Sequence, residues 1–160
     1  MRRDLETNME LNRKVIIIMP TKQNLEQLEE AVNSIINNTE YPFKLIIVES
    51  FSTDGTVEYT DFLAKRHENI SVFHTKHDSA SKAINWAIKN YTEDEDIYLT
   101  QDDIIINKLY QRDWLRIMVQ TAENNPEVGI ITTLAGGGIS GEEFLKDFPW
   151  IGTWSLYIPR

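Results

Sequence analysis

Val15-Ile16-Ile17-Ile18-Met19-Pro20-Thr21 is the stretch that decides the fold. Its first five residues are apolar with no polar break. A strand that keeps one face in water alternates apolar with polar side chains. An unbroken β-branched run instead fits a strand buried on both faces, as at the centre of a parallel sheet. Pro20-Thr21 is expected to end the strand. Asn24 then reads as a helix N-cap with Gln27 as its capping-box partner. Leu25, Leu28, Ala31, Val32, Ile35 and Ile36 follow at helical spacing, and Asn37-Asn38 and Pro42 close that helix.

Outward from this unit the alternation of strand and helix continues. Lys44 to Val48 reads as a second strand ending at Glu49-Ser50, and Phe51 to Thr56 as a turn. A weaker helix runs to about Arg66. Ile70 to His74 reads as a third strand, and Ser79 to Asn90 as a helix with Ala80, Ala83, Ile84, Ala87 and Ile88 in its stripe. Ile97 to Thr100 is a fourth strand, Leu109 to Asn124 a helix with Trp114, Leu115, Met118, Val119 and Ala122 facing in, and Val128 to Thr133 a fifth strand. Beyond Thr133 the rhythm breaks at Gly136-Gly137-Gly138 and an aromatic segment with Phe144, Phe148, Trp150 and Trp154; Trp154 to Ile158 reads as a last strand. Such alternation implies an α/β fold, a single domain with a mostly parallel sheet flanked by helices. The division expected is a polar tail over residues 1–13 and one domain over 14–160.

Composition narrows the functions. The chain has 160 residues, suited to one core, and its net charge of -9 disfavours nucleic acid, which calls for a basic face. An anionic substrate remains compatible, because a metal ion or a local lysine reverses the local field. Cysteine is absent, so disulfides and thiolate zinc sites are excluded. The start of the chain has no apolar core of signal-peptide length, and its apolar runs are too short to span a bilayer. A soluble, cytoplasmic protein without a transmembrane segment is the expectation.

The chemistry is expected at strand ends. Ile97-Tyr98-Leu99-Thr100-Gln101-Asp102-Asp103-Ile104 runs an apolar strand straight into two adjacent carboxylates. In an open parallel sheet, ligands bind just past the carboxyl ends of the strands. Carboxylates there can hold a divalent cation, and the cation a diphosphate, since magnesium-type sites take one or two protein carboxylates and leave the rest to water and phosphate. Glu49, closing the second strand, can accept hydrogen bonds from ribose hydroxyls or a base N–H, with Ser52-Thr53-Asp54-Gly55-Thr56 close behind. Both GxGxxG and the Walker pattern are missing after the first strand, so the diphosphate is expected to depend on a metal rather than on backbone amides. His67, His74 and His77 have no ligand spacing; His74 and His77 could at most line the pocket.

In this order, the motifs resemble the nucleotide-sugar-binding half of a family 2 glycosyltransferase with the GT-A, Rossmann-like fold. The residues that carry the resemblance are Pro20-Thr21, Ile46 to Thr56, Ser79 to Asn85, Leu99 to Ile104, Trp114-Leu115, Pro126 to Ile130 and Trp150 to Trp154. The resemblance implies a metal-dependent, inverting sugar transfer from a UDP-, GDP- or dTDP-sugar to an unknown acceptor, with Mg²⁺ or Mn²⁺ as cofactor. It implies that Pro20 and Thr21 pack near the base, that Glu49, Ser52 and Asp54 form the uracil or ribose contact region, and that Ser79, Lys82 and Asn85 border the donor. Gln101, Asp102 and Asp103 match the DxD region, with Asp103 as metal contact; a shift of one makes Asp102 the ligand. Glu49 stands where the family usually has Asp, Phe51 where Gly is usual, Ser79 where Gly is common and Gln23 where Asn is often found. The family's catalytic base lies beyond the segment like Trp150 to Arg160, so much of the acceptor side is expected to be missing; Glu142, Glu143 and Asp147 are stand-in carboxylates. A donor-binding fragment or module lacking the catalytic base, inactive alone or completed by a partner, is the alternative expectation; for assembly the expectation is a homo-oligomer or a missing acceptor-binding region. Nucleotidyl transfer ranks last, because only Lys22 follows the first strand to hold a triphosphate.

Overall fold

The computed structural model describes residues 13–106, 113–132 and 155–160. Along the chain run β1 (Val15–Thr21), α1 (Leu25–Asn38), β2 (Phe43–Glu49), α2 (Thr56–Arg66), β3 (Ile70–His74), α3 (Ala80–Tyr91), β4 (Asp96–Thr100), α4 (Trp114–Asn124), β5 (Ile131–Thr132) and β6 (Ser155–Ile158). Among the described residues they form one six-stranded sheet in the order β3-β2-β1-β4-β6-β5. The first four strands are parallel, and β6 runs antiparallel to both β4 and β5.

β1 lies at the centre, and every residue in it is buried. Its side chains alternate between two cores. Val15, Ile17 and Met19 join Leu45 and Ile47 of β2 on the face covered by α1, α2 and α4, where Leu28, Ile35, Leu63, Leu115 and Val119 pack. Ile16 and Ile18 join Ile46 and Val48 on the face covered by α3, against Ala83 and Ala87. Two buried faces remove any need for polar alternation, which is why the run is continuous.

The expected elements are present, with four differences. β1 continues through Pro20 and Thr21, pairing with Val48 and Glu49. The ladder to β4 stops at Ile18, so Pro20 has a neighbour on one side only, the edge-like setting in which a strand tolerates a missing N–H. Asn24 occupies the N-cap of α1, but its side chain makes no capping hydrogen bond. The capping-box reading is therefore corrected: Leu25 N–H donates to Asp54 Oδ2 at 3.1 Å, from the next strand-helix loop. α4 is described from Trp114, with the Asp113 carboxylate capping Leu115 N–H at 3.1 Å; the expected start at Leu109 lies outside the described residues. β5 begins at Ile131 rather than Val128, because Val128 N–H turns back onto Asn125 O at 3.0 Å just after Pro126. Gly136-Gly137-Gly138, Glu142, Glu143, Asp147, Trp150 and Trp154 also lie outside the described residues.

β6 is fastened to β4 by side chains as well as by the ladder. The Tyr157 hydroxyl donates to the buried Asp96 carboxylate, which also accepts from Arg13 at 2.9 Å and from Arg160 N–H at 2.8 Å. Tyr98 and Ser155 hydroxyls bond beside it. One carboxylate at the start of β4 thus ties together the entry to β1 and the exit from β6.

Candidate functional site

The parallel register aligns the carboxyl ends of the strands. Thr21 of β1 pairs with Glu49 of β2, and Glu49 with His74 of β3. On the other side Ile18 pairs with Leu99, so three residues further on Thr21 stands level with Asp102. The Thr21 hydroxyl donates to Asp102 Oδ2 at 2.6 Å. Gln101 to Ile104 form a turn closed by Ile104 N–H donating to Gln101 O at 3.4 Å. Within that turn Asp103 is exposed and Asp102 half-buried.

A cavity of ≈ 440 Å³ opens at this edge, lined among the described residues by Pro20 to Asn24, Ser50, His77 to Ala80, Ala83 and Asp102. Of the residues expected to form the site, it brings together Pro20, Thr21, Ser79 and Asp102. The lining does not include Glu49, Ser52, Asp54, Lys82, Asn85, Gln101 or Asp103. Lys82 stands one contact away, its ammonium donating to Asp78 Oδ2 at 2.6 Å. Asn85 is exposed on α3, and Gln101 is half-buried before the turn.

Three features of the cavity have chemical weight. First, Asp102 uses Oδ2 for Thr21, and Oδ1 accepts no hydrogen bond among the described residues. Second, α3 starts at the cavity wall: Ser79 is its N-cap and accepts from Lys82 N–H at 3.3 Å. A helix N-terminus offers unpaired N–H groups and a positive dipole end to an anion, so backbone amides are at hand despite the missing glycine loop. Third, His77 lines the cavity with its Nε2 buried and without a hydrogen-bond partner. A buried polar atom left unpaired costs free energy. Sequence reading allowed His74 and His77 at most a place on the pocket wall; His77 is on the lining and His74 is not, and Asp78, which has no motif spacing, was not singled out.

The acidic residues of the second loop are engaged elsewhere. Glu49 is 0% exposed. Its Oε1 accepts from Ser52 N–H at 2.6 Å, and its Oε2 from Phe51 N–H at 3.0 Å and from His74 Nδ1 at 2.8 Å. Burial alone would push this carboxyl up, but the hydrogen bonds from Ser52, His74 and Phe51 outweigh it and hold it below the ordinary value. Strand alternation explains its position: residue 49 shares a face with Leu45 and Ile47, under α1 and α2, whereas Val48 faces α3 and Ser50 lines the cavity.

Asp54 caps two helices at once, accepting from Leu25 N–H at 3.1 Å with Oδ2 and from Thr56 N–H at 3.2 Å and Thr56 Oγ1 at 2.7 Å with Oδ1. The Thr56 hydrogen bond is the main cause of its lowered pKa. Between the two caps, Gly55 has φ 98°, and a Cβ there would come within 3.1 Å of Leu25 Cδ2, so this turn requires glycine.

A metal would fit here only as a shared one. Among the described residues no group of three or more His, Asp or Glu side chains is placed to hold an ion. One or two carboxylates completed by phosphate oxygens and water is nonetheless the usual magnesium-type arrangement, and the Asp102 turn at the cavity suits that arrangement.

Comparison with known proteins gives one consistent result. The family described as glycosyl transferase family 2 matches residues 16–155. An uncharacterized glycosyltransferase of Rickettsia felis is 30% identical over 112 residues, which is 70% of this chain and 18% of that protein. The mannosyltransferase PcManGT of Pyrobaculum calidifontis, solved with GDP-Man and Mn²⁺, superposes with a TM-score of 0.69 at 19% identity, covering 92% of this chain and 45% of that one. S. aureus TarS in complex with UDP-GlcNAc gives 0.62 at 21% identity, covering 82% and 38%. This chain therefore spans under half of those structures and about a fifth of the curated relative.

Proposed function

The chain belongs to glycosyl transferase family 2, and on that premise we propose that the cavity at the carboxyl edge of its sheet binds the nucleotide-diphosphate part of a sugar donor. The observation that carries this reading is the convergence, on one cavity, of a carboxylate with an uncommitted oxygen and the N-terminus of α3, with His77 on the same wall. A diphosphate can accept from helix amides and share a cation with a carboxylate. Among the described residues the lining carries one lysine, Lys22.

Asp102 would hold a Mg²⁺ or Mn²⁺ ion, with Asp103 as the adjacent alternative, and such an ion supplies neutralising charge to the leaving diphosphate. Thr21 orients Asp102 through their 2.6 Å hydrogen bond. His77, on the cavity lining, is proposed to border the donor. An inverting transfer also needs a base for the acceptor hydroxyl, and Glu142, Glu143 and Asp147 lie outside the described residues.

A second reading, in which the chain binds donor but transfers only with further acceptor-side structure, is compatible with its coverage of 45% of the solved mannosyltransferase. Nuclear magnetic resonance of the labelled chain with UDP, GDP and dTDP, each with Mn²⁺, Mg²⁺ or chelator, tests the site. Shifts confined to residues 20–24, 77–83 and 101–103 are expected, and shifts elsewhere or none would refute the donor assignment. Release of free sugar or transfer to an added acceptor would separate the first reading from the second.

A further inference from the structure

We infer that His74 is a positioning residue for the donor cavity: by gripping the buried carboxylate of Glu49 it fixes the Phe51-Ser52 backbone and, through Ser52, the cavity-lining Gln23. The inference rests on the donor reading for what the cavity takes, and on hydrogen-bond geometry for the rest.

The chain of contacts is continuous. Asp61 Oδ1 on α2 lies 3.0 Å from His74 Nε2, and His74 Nδ1 lies 2.8 Å from Glu49 Oε2. Glu49 accepts from the amides of Phe51 and Ser52. Ser52 Oγ accepts from Gln23 N–H at 2.8 Å, and the Gln23 side chain bonds back to Thr53 N–H and, at 3.1 Å, to Thr53 Oγ1. One carboxylate at the end of β2 thus links five residues, His74 on β3 and Gln23, Phe51, Ser52 and Thr53 in two loops.

What this network holds in place is strained. Gln23 has φ 53° and Phe51 φ 52°, the only two non-glycine residues with positive φ among the described ones. A bulky side chain in the left-handed region is strained and persists only where surrounding bonds enforce it. Both strained residues sit at the cavity edge: Gln23 lines it, and Phe51 follows the lining residue Ser50. The Phe51 ring is 59% exposed, so apolar packing does not account for its conformation. The Glu49 clamp does.

His74 faces two acidic groups, Glu49 from β2 and Asp61 from α2. A ring that donates at both nitrogens is the doubly protonated one. Burial lowers the imidazole pKa, but the bonds to Glu49 and Asp61 outweigh that and raise it above its ordinary value.

The test uses three variants. In His74→Asn an amide nitrogen can take the place of Nδ1 and keep the bond to Glu49; His74→Leu cannot; Asp61→Asn, at an exposed position, removes only the outer carboxylate. In the native chain, the amide signals of Phe51, Ser52 and Gln23 should follow the titration of the His74 ring, and Asp61→Asn should move that midpoint to lower pH. UDP or GDP affinity with Mn²⁺ should fall about tenfold or more in His74→Leu, the scale of one lost hydrogen bond to a charged group, and stay within about threefold in His74→Asn. Amide signals that ignore the His74 titration, or native affinity in His74→Leu, would overturn the inference. If neither nucleotide binds the native chain while the amides do follow His74, the donor reading falls and the grip of His74 on the loop stands.

Discussion

At the scale of the residue, Glu49 shows how position and orientation differ. Its place at the end of β2 was legible in the sequence, because a β-branched run stops there. Its face was not: Leu45 to Val48 are buried on both sides, so no polar alternation reveals which residues point toward α3 and which toward α2. The two-helix cap by Asp54 was equally hidden, since Leu25 and Asp54 meet only in the folded chain. Glu49→Ala strands two amides and an imidazole, and is expected to destabilise by roughly 3–5 kcal/mol, the scale for removing one partner of a buried pair, as read from urea unfolding. The pair also sets a pH window. The Glu49 contribution, from a lowered pKa, is present above its ordinary 4.5 and is lost as pH falls through its depressed value. The His74 contribution, from a raised pKa, is complete below its ordinary 6.5 and is lost as pH rises through the raised value. Melting temperature against pH should therefore show a maximum between about pH 4.5 and 6.5 from this pair, and His74→Asn should flatten the alkaline limb.

At the scale of the element, legibility followed the strength of local pattern. β1 and β2 are unbroken apolar runs, and α1 and α3 present a 3.6-residue stripe, so all four were readable. β5 shifted by three residues because Pro126 and the turn at Asn125 take up the start of its apolar run. The antiparallel direction of β6 depends on the path between β5 and β6, which no local pattern encodes. What holds β6 is specific: Tyr157→Phe removes the hydroxyl that donates to Asp96 and should cost about 1.5–3 kcal/mol, the range for a hydrogen bond to a charged group. In the centre of the sheet, Ile17→Ala should cost about 2–5 kcal/mol, since Ile17 is fully buried. The same change at exposed Ile117 on α4 should stay within about 0.5 kcal/mol. Near-equal losses at positions 17 and 117 would contradict the central placement of β1.

At the scale of the whole molecule, an acidic chain with net charge -9 is assigned an anionic ligand. The two are compatible because the cavity sets its own field, with the N-terminus of α3 and Lys22 on its wall and Asp102 available to share a cation with phosphate. The family and the fold were legible as an ordered set of loose motifs. The wall of the cavity was legible only in part: His77 was readable as a lining residue, but Asp78 reaches the wall through the turn before α3, which carries no motif. Calorimetric titration of UDP and GDP, with Mn²⁺ or with chelator, into the native chain, Asp102→Asn and Asp103→Asn tests the central claim most directly. The account predicts metal-dependent binding by the native chain that is lost in Asp102→Asn and weakened less in Asp103→Asn, since Asp103 is exposed and not part of the cavity lining. Binding that is absent under every condition, or equal in Asp102→Asn with and without Mn²⁺, would contradict it.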